Sequence, residues 1–248
     1  MQLHKRVSGS GPRVVFVHGS LTTSQQSWEK QEPLAARWTL VIPDRRGYAP
    51  NPLADKSDFE DDAADIVPLL EGSAHLVGHS YGAIVALCIA GLEPAAVRSL
   101  TLIETPPTNL VRGEPAIEEL IAEGDRRRST VSDPEQYMRS HLDVLGAPVD
   151  KLPSPLPEAT ERQARLFMHE RPPWTLEPSA ALAATPFPKL VVSGGHSDDL
   201  ERCSDAIAAH LGPNTQRIVM TGRGHVVARL GQPFNDMLER FLLSAQRV

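Results

Sequence analysis

Short apolar runs rich in β-branched residues alternate along the chain with longer stretches whose apolar residues recur every three to four positions. A parallel sheet covered by helices on both faces requires that alternation, because its strands are buried on either side and each helix buries one stripe. The runs predict strands over residues 13–17, 38–42, 75–77, 97–103, 189–193 and 216–220. Between them, residues 57–70 set Phe59, Ala63, Ile66, Val67 and Leu70 at helical spacing, and Phe234, Met237, Leu238, Phe241 and Leu242 repeat that period near the C-terminus. Gly9-Ser10-Gly11-Pro12 is a turn signal, so residues 2–8 are expected to form an antiparallel edge strand.

The rhythm changes after residue 105. Proline and charge become dense, strand-like runs stop, and helices are predicted over 116–127, 134–145, 158–170 and 178–183. This predicts an α/β core of residues 1–105 and 187–248 carrying a helical cap, residues 106–186, as an insertion. Arg126, Arg127 and Arg128 fall at the end of a predicted helix, where cations suit the dipole, and read as a solvated helix end.

Composition narrows the function classes. At 248 residues, 41% hydrophobic and 23% charged, the chain is long enough for one domain with a substantial core. Its formal net charge of -6 argues against a nucleic-acid partner. Cys88 and Cys203 lie far apart and outside any C-x-x-C pair, as suits a reducing, cytoplasmic setting. The basic start His4-Lys5-Arg6 is followed by an apolar run, 14–17, too short for a secretory core or a bilayer span, so no membrane association is expected. The dinucleotide G-x-G-x-x-G spacing and the Gly-Lys-Ser/Thr ending of a phosphate loop do not occur, and no cofactor is implied.

The chemistry is concentrated where predicted strands end. Gly78-His79-Ser80-Tyr81-Gly82 follows the strand at 75–77 and opens the apolar run from Ala83 to Ala90. A serine at so sharp a turn needs flanking glycines and exposes its hydroxyl near the positive end of the helix. His18-Gly19-Ser20-Leu21 ends the first buried strand, and Gly222-Arg223-Gly224-His225 follows the last. In a parallel sheet such positions gather at the carboxyl edge, so His225 can approach Ser80. A serine is a poor nucleophile near neutral pH without an imidazole to take its proton and a carboxylate to orient the imidazole.

With His18-Gly19, the Asp44-Arg45-Arg46-Gly47-Tyr48 turn, the 78–82 elbow and Gly224-His225 in this order, the chain resembles the α/β-hydrolase superfamily over nearly its whole length, the insertion matching only in type. The resemblance implies Ser80 as nucleophile, His225 as general base, and an oxyanion hole from the backbone N–H groups of Ser20 and Tyr81. The acid departs from the pattern. In most relatives it lies three residues beyond the glycine ending the strand at 189–193, and here that position is Ser197. Glu104 is the favoured orienting acid, because it ends the strand at 97–103 and some haloalkane dehalogenases, which resemble this core, place their acid there. Asp198 or Asp199, or no working acid, remain alternatives; both aspartates also fit a helix N-terminus.

A serine at the elbow argues against haloalkane dehalogenase and epoxide hydrolase chemistry, which use an aspartate there. His79 reads as packing or orientation and His18 as a structural hydrogen-bonding residue. His196, Asp198, Asp199 and Cys203 match no zinc spacing, and no metal is expected. Phe167, Met168, Trp174, Leu142, Val144 and Leu145 are candidates to roof an apolar pocket over Ser80, and Trp28 to line its acyl side. The expected activity is hydrolysis of a small, mostly apolar ester, thioester or lactone through an acyl-enzyme. The alternatives are a lyase, cyclase or carbon–carbon-cleaving enzyme on the same fold, or a ligand receptor whose catalytic machinery has decayed. Oligomeric state is not readable from the sequence.

Overall fold

The computed structural model of the chain describes residues 1–145 and 149–246. Among them, seven strands, β1 (Lys5–Ser8), β2 (Arg13–Val17), β3 (Thr39–Pro43), β4 (Ala74–His79), β5 (Val97–Ile103), β6 (Lys189–Ser193) and β7 (Thr215–Val219), form one sheet in the order β1-β3-β2-β4-β5-β6-β7. Only β1 runs antiparallel, on β3, at the edge where the turn at 9–12 returns the chain. The helices are α1 (Ser24–Trp28), α2 (Phe59–Ile66), α3 (Tyr81–Leu92), α4 (Pro115–Thr130), α5 (Pro134–Val144), α6 (Glu158–Met168), α7 (Asp198–His210) and α8 (Gln232–Ala245).

Both faces of the sheet are covered, as the alternation in β2 records. Val15 and Val17 pack with Phe59, Ala63 and Ile66 of α2, the apolar length of α3, and Ile207 of α7. Val14 and Phe16 point the other way, into a cluster with Trp28, Phe234, Leu238, Phe241 and Leu242. The helical stripe read near the C-terminus is therefore the face that α8 buries, each large side chain contributing about 1.5–3 kcal/mol of hydrophobic stabilisation.

Several boundaries differ from the pattern-based reading. β3 and β7 are each displaced by one residue, and β4 runs on to His79, up to the serine. Residues 57–70 divide into α2 and a 3-10 turn, Val67–Leu70, where Pro68 removes a helical donor. The segment expected as a helix at 178–183 is a 3-10 turn, Ala180–Ala184, hemmed by Pro178 and Pro186. The insertion between β5 and β6 is helical as expected, built from α4, α5 and α6.

The arginine run is only partly a solvated helix end. Arg126 is exposed, but Arg127 is buried and Arg128 Nη1 donates to the Glu170 carbonyl at 2.7 Å, tying α4 to the end of α6. The reading holds for Arg126 but not for Arg127, because the run turns through the helix: three consecutive residues cannot share one face.

Candidate active site

The register of the sheet decides which residues meet. Gly78 and His79 of β4 pair with Leu102 and Ile103 of β5, so Ser80 and Glu104 leave adjacent strands at the same level. Val17 pairs with Gly78, which brings residues 18–20 to the opposite side of Ser80. A Cβ on Gly19 would lie 2.9 Å from the Ser80 Cβ, so that loop passes directly against the serine.

The elbow is strained where the side chain is presented. Ser80 has φ 55° and ψ -125°, and its N–H donates to the Ile103 carbonyl at 2.8 Å. Such a backbone persists only when its surroundings dictate it, as the flanking glycines do here. A Cβ on Gly78 would come within 2.3 Å of the Gly82 carbonyl oxygen, and one on Gly82 within 2.2 Å of the Val17 carbonyl oxygen. Tyr81 opens α3, so its N–H has no partner within the helix and is free to meet an incoming oxygen.

A chain of hydrogen bonds runs across the strand ends. His225 Nε2 is 3.1 Å from Ser80 Oγ, and its Nδ1 is 3.1 Å from Glu104 Oε2. Glu104 is fully buried, and its Oε1 accepts from the Gly194 N–H. With both oxygens engaged and an N–H on Nδ1, the bare Nε2 faces the serine hydroxyl; this tautomer follows from the partners. Glu104 also carries a positive φ, 52°, the second strained non-glycine residue at this edge.

The remaining histidines divide by their contacts. His79 donates from Nε2 to the carbonyl of His225 at 2.7 Å, and burial pushes its pKa down to about 4, so it stays neutral. It orients the loop that carries His225, in keeping with a packing role. His18 spans two loops: Nδ1 donates to the Gly19 carbonyl and Nε2 accepts the Arg45 N–H, with burial and the Arg45 charge holding its pKa down at about 3. His196 Nδ1 lies 3.8 Å from Glu104 Oε2, and Glu104, His196 and His225 offer ligand-type atoms within 4.8 Å of one another. Both Glu104 oxygens and His225 Nδ1 are already committed to hydrogen bonds.

Other candidates lie elsewhere. Ser197 caps α7, accepting the Leu200 N–H, and Asp198 and Asp199 occupy its first turn, where carboxylates suit the dipole. Cys203 is buried in an apolar cluster with Val111, Ile117 and Ile121, with Trp174 packed against it, so the set His196, Asp198, Asp199 and Cys203 does not converge. The expected roof is largely internal packing of the insertion. Val144 is exposed, Leu142 packs with Met138, Leu156 and Ala164, and Phe167 stacks near Tyr137 and His141. Trp28 is buried against Phe16 and His79, which is core packing.

Sequence reasoning missed a buried ionic cluster beside the site. The Arg45 guanidinium, fully buried, contacts Glu170 Oε2 at 3.0 Å, lies 3.4 Å from Asp62 Oδ2, and sits over the Tyr48 and Tyr81 rings. Burial pushes Glu170 up to about 7 and Asp62 to about 6, against the pull of Arg45. Arg45 stands inside a recognised landmark, but nothing in the spacing marks Glu170, which reaches the cluster only through the return of the insertion. Among the described residues, no helix is long and apolar enough to cross a membrane.

The fold has counterparts among known proteins. A 2-(acetamidomethylene)succinate hydrolase from Mesorhizobium japonicum is 28% identical to this chain, over 91% of it and 85% of the relative. A pimeloyl-[acyl-carrier protein] methyl ester esterase from Methylococcus capsulatus is 36% identical over 42% of this chain and 41% of that protein. Among solved structures, MenH from S. aureus superimposes with a TM-score of 0.77 at 19% identity, covering 98% of this chain and 99% of that one, a likeness of fold. Residues 14–237 match the description of one family, and the chain belongs to it: the alpha/beta hydrolase family.

Proposed function

We propose that the chain is a carboxylesterase-like serine hydrolase acting on a small, mostly apolar ester, thioester or lactone, with Ser80 as nucleophile, His225 as general base and Glu104 as orienting acid. The observation that carries this reading is the continuous path Glu104 Oε2, His225 Nδ1, His225 Nε2, Ser80 Oγ, with both contacts at 3.1 Å. Residues 106–186 act as the cap over a core of 1–105 and 187–248.

In the proposed reaction, His225 Nε2 takes the Ser80 proton as Oγ attacks the substrate carbonyl, and the Glu104 carboxylate stabilises the imidazolium that forms. The carbonyl oxygen becomes an oxyanion facing the N–H groups of Ser20 and Tyr81. His225 then returns the proton to the leaving oxygen or sulfur, which departs as alcohol or thiol, or in a lactone stays as a hydroxyl on the acyl group, and leaves an acyl-enzyme. Water, deprotonated by the same imidazole, releases the acid and restores Ser80.

Incubating the folded protein with a fluorophosphonate and mapping the adduct by peptide mass spectrometry tests the nucleophile. The adduct is expected on Ser80 and is lost in Ser80→Ala; an unlabelled folded wild type would count against the reading. A second reading, cleavage of something other than a simple ester, is favoured by the name of the Mesorhizobium relative, a hydrolase of 2-(acetamidomethylene)succinate. Ser80-dependent turnover of an acetamido compound, with poor turnover of every simple ester, would select it.

A further inference from the structure

The two residues whose amides form the proposed oxyanion hole are tied by their side chains to one short segment, 90 or more positions further along the chain. Ser20 Oγ donates to Glu170 Oε1 at 2.5 Å, and the Tyr81 hydroxyl donates to the Arg171 carbonyl at 3.1 Å. That segment follows α6 and is fixed to the core by backbone pairing: Ser57 and Glu170 form a parallel bridge, and the Arg171 N–H donates to the Ser57 carbonyl at 2.8 Å. On its outer side Arg128 holds the Glu170 carbonyl.

The second Glu170 oxygen, Oε2, accepts from Arg45 Nη2 at 3.0 Å and Ser57 Oγ at 3.4 Å. Taking a carboxylate and a guanidinium out of water is expensive, and an apolar filling of similar volume is often as stable or more so. Stability alone therefore does not account for the cluster, whereas a need for direction does. The loop after β2 has no helix or strand to orient its amides. Its shape comes from point contacts: His18 Nδ1 on the Gly19 carbonyl, Ser20 Oγ on Glu170, and the Leu21 N–H on the Tyr48 hydroxyl at 3.3 Å, with Leu21 itself at φ 59°. Leu21 also packs against the insertion cluster of Met138, Leu156 and Ala164.

We propose that Glu170 is a positioning residue for hydrolysis: through the Ser20 hydroxyl it holds the Ser20 amide, while the Arg171 carbonyl holds Tyr81, so that both donors converge on one oxygen. The proposal rests on the reading of Ser80 as nucleophile. Because the donors act on charge that develops in the transition state, loosening them affects turnover rather than binding.

Steady-state kinetics of the full chain on p-nitrophenyl acetate, with melting curves, test it. Ser20→Ala keeps the amide and removes the tether, and kcat is expected to fall about ten- to a hundredfold with KM within about twofold. Ser20→Thr, which keeps a hydroxyl, is expected to recover most of the loss. Glu170→Ala should lower kcat at least as far as Ser20→Ala, and the double variant should fall no further than Glu170→Ala, since the Ser20–Glu170 bond is already gone. A structural role alone would lower the melting temperature and leave kcat per folded molecule unchanged. Where Glu170→Ala fails to fold, Ser20→Ala decides. Wild-type kcat in folded Ser20→Ala, with Ser80→Ala inactive, overturns this proposal alone; turnover that survives Ser80→Ala overturns it together with the nucleophile assignment.

Discussion

At the carboxyl edge, Ser80 at φ 55° and Glu104 at φ 52° are held in backbone conformations that L-residues rarely adopt. Each follows the last residue of an adjacent parallel strand, and each points a side-chain oxygen at the same imidazole. The positive φ at Glu104 could not be read from the sequence, where no glycine or asparagine marks it. Its place at the end of β5 could, as could the failure of Ser197 to serve as an acid, since the hydroxyl at that position caps α7 instead. Glu104→Gln keeps the shape of the side chain but removes the charge that stabilises an imidazolium. Turnover is expected to fall about a thousand- to ten-thousandfold, with circular dichroism and melting unchanged; near-normal rates in kinetic assays would refute Glu104 as the orienting acid.

Elements were legible in proportion to their periodicity. The two-sided burial of β2 and the stripe of α8 follow from spacing alone, because burying an apolar face decides where such a segment sits. Ends were less legible. Pro68 cut a helical pattern short, and the alanine-rich segment at 180–184 closed as a 3-10 turn between prolines rather than as a helix. The insertion was recognisable by its loss of strand pattern, but the roles of its residues were not. Trp174 packs where α4 meets α7, and Leu142 packs where α5 meets α6, contacts that depend on crossing geometry the sequence does not carry. The Ser20–Glu170 tether joins residues 150 positions apart, so no local signal announces it.

At the scale of the whole molecule, burial sets the response to acid. Burial holds His18 and His141 at about 3 and His75 and His79 at about 4, below the ordinary 6.5, so between about pH 4 and 6.5 the unfolded chain binds protons that the folded chain refuses. Their contribution to stability is lost as the pH falls through that window. Glu170, raised to about 7, and Asp62, raised to about 6, act in the opposite sense: they retain protons in the fold that the unfolded chain releases, so acidification below neutrality stabilises through them. Four groups oppose two, and the melting temperature is expected to drop between pH 7 and pH 5 in calorimetry; a flat or rising profile would show that the histidines are less enclosed than the fold implies. An acyl-enzyme requires three distant segments to meet at one sheet edge. Stopped-flow release of p-nitrophenol from p-nitrophenyl acetate tests that most directly. A burst approaching one equivalent per chain, absent from Ser80→Ala and from His225→Ala, is the result expected when deacylation is the slower step, and a burst that persists in Ser80→Ala would contradict it.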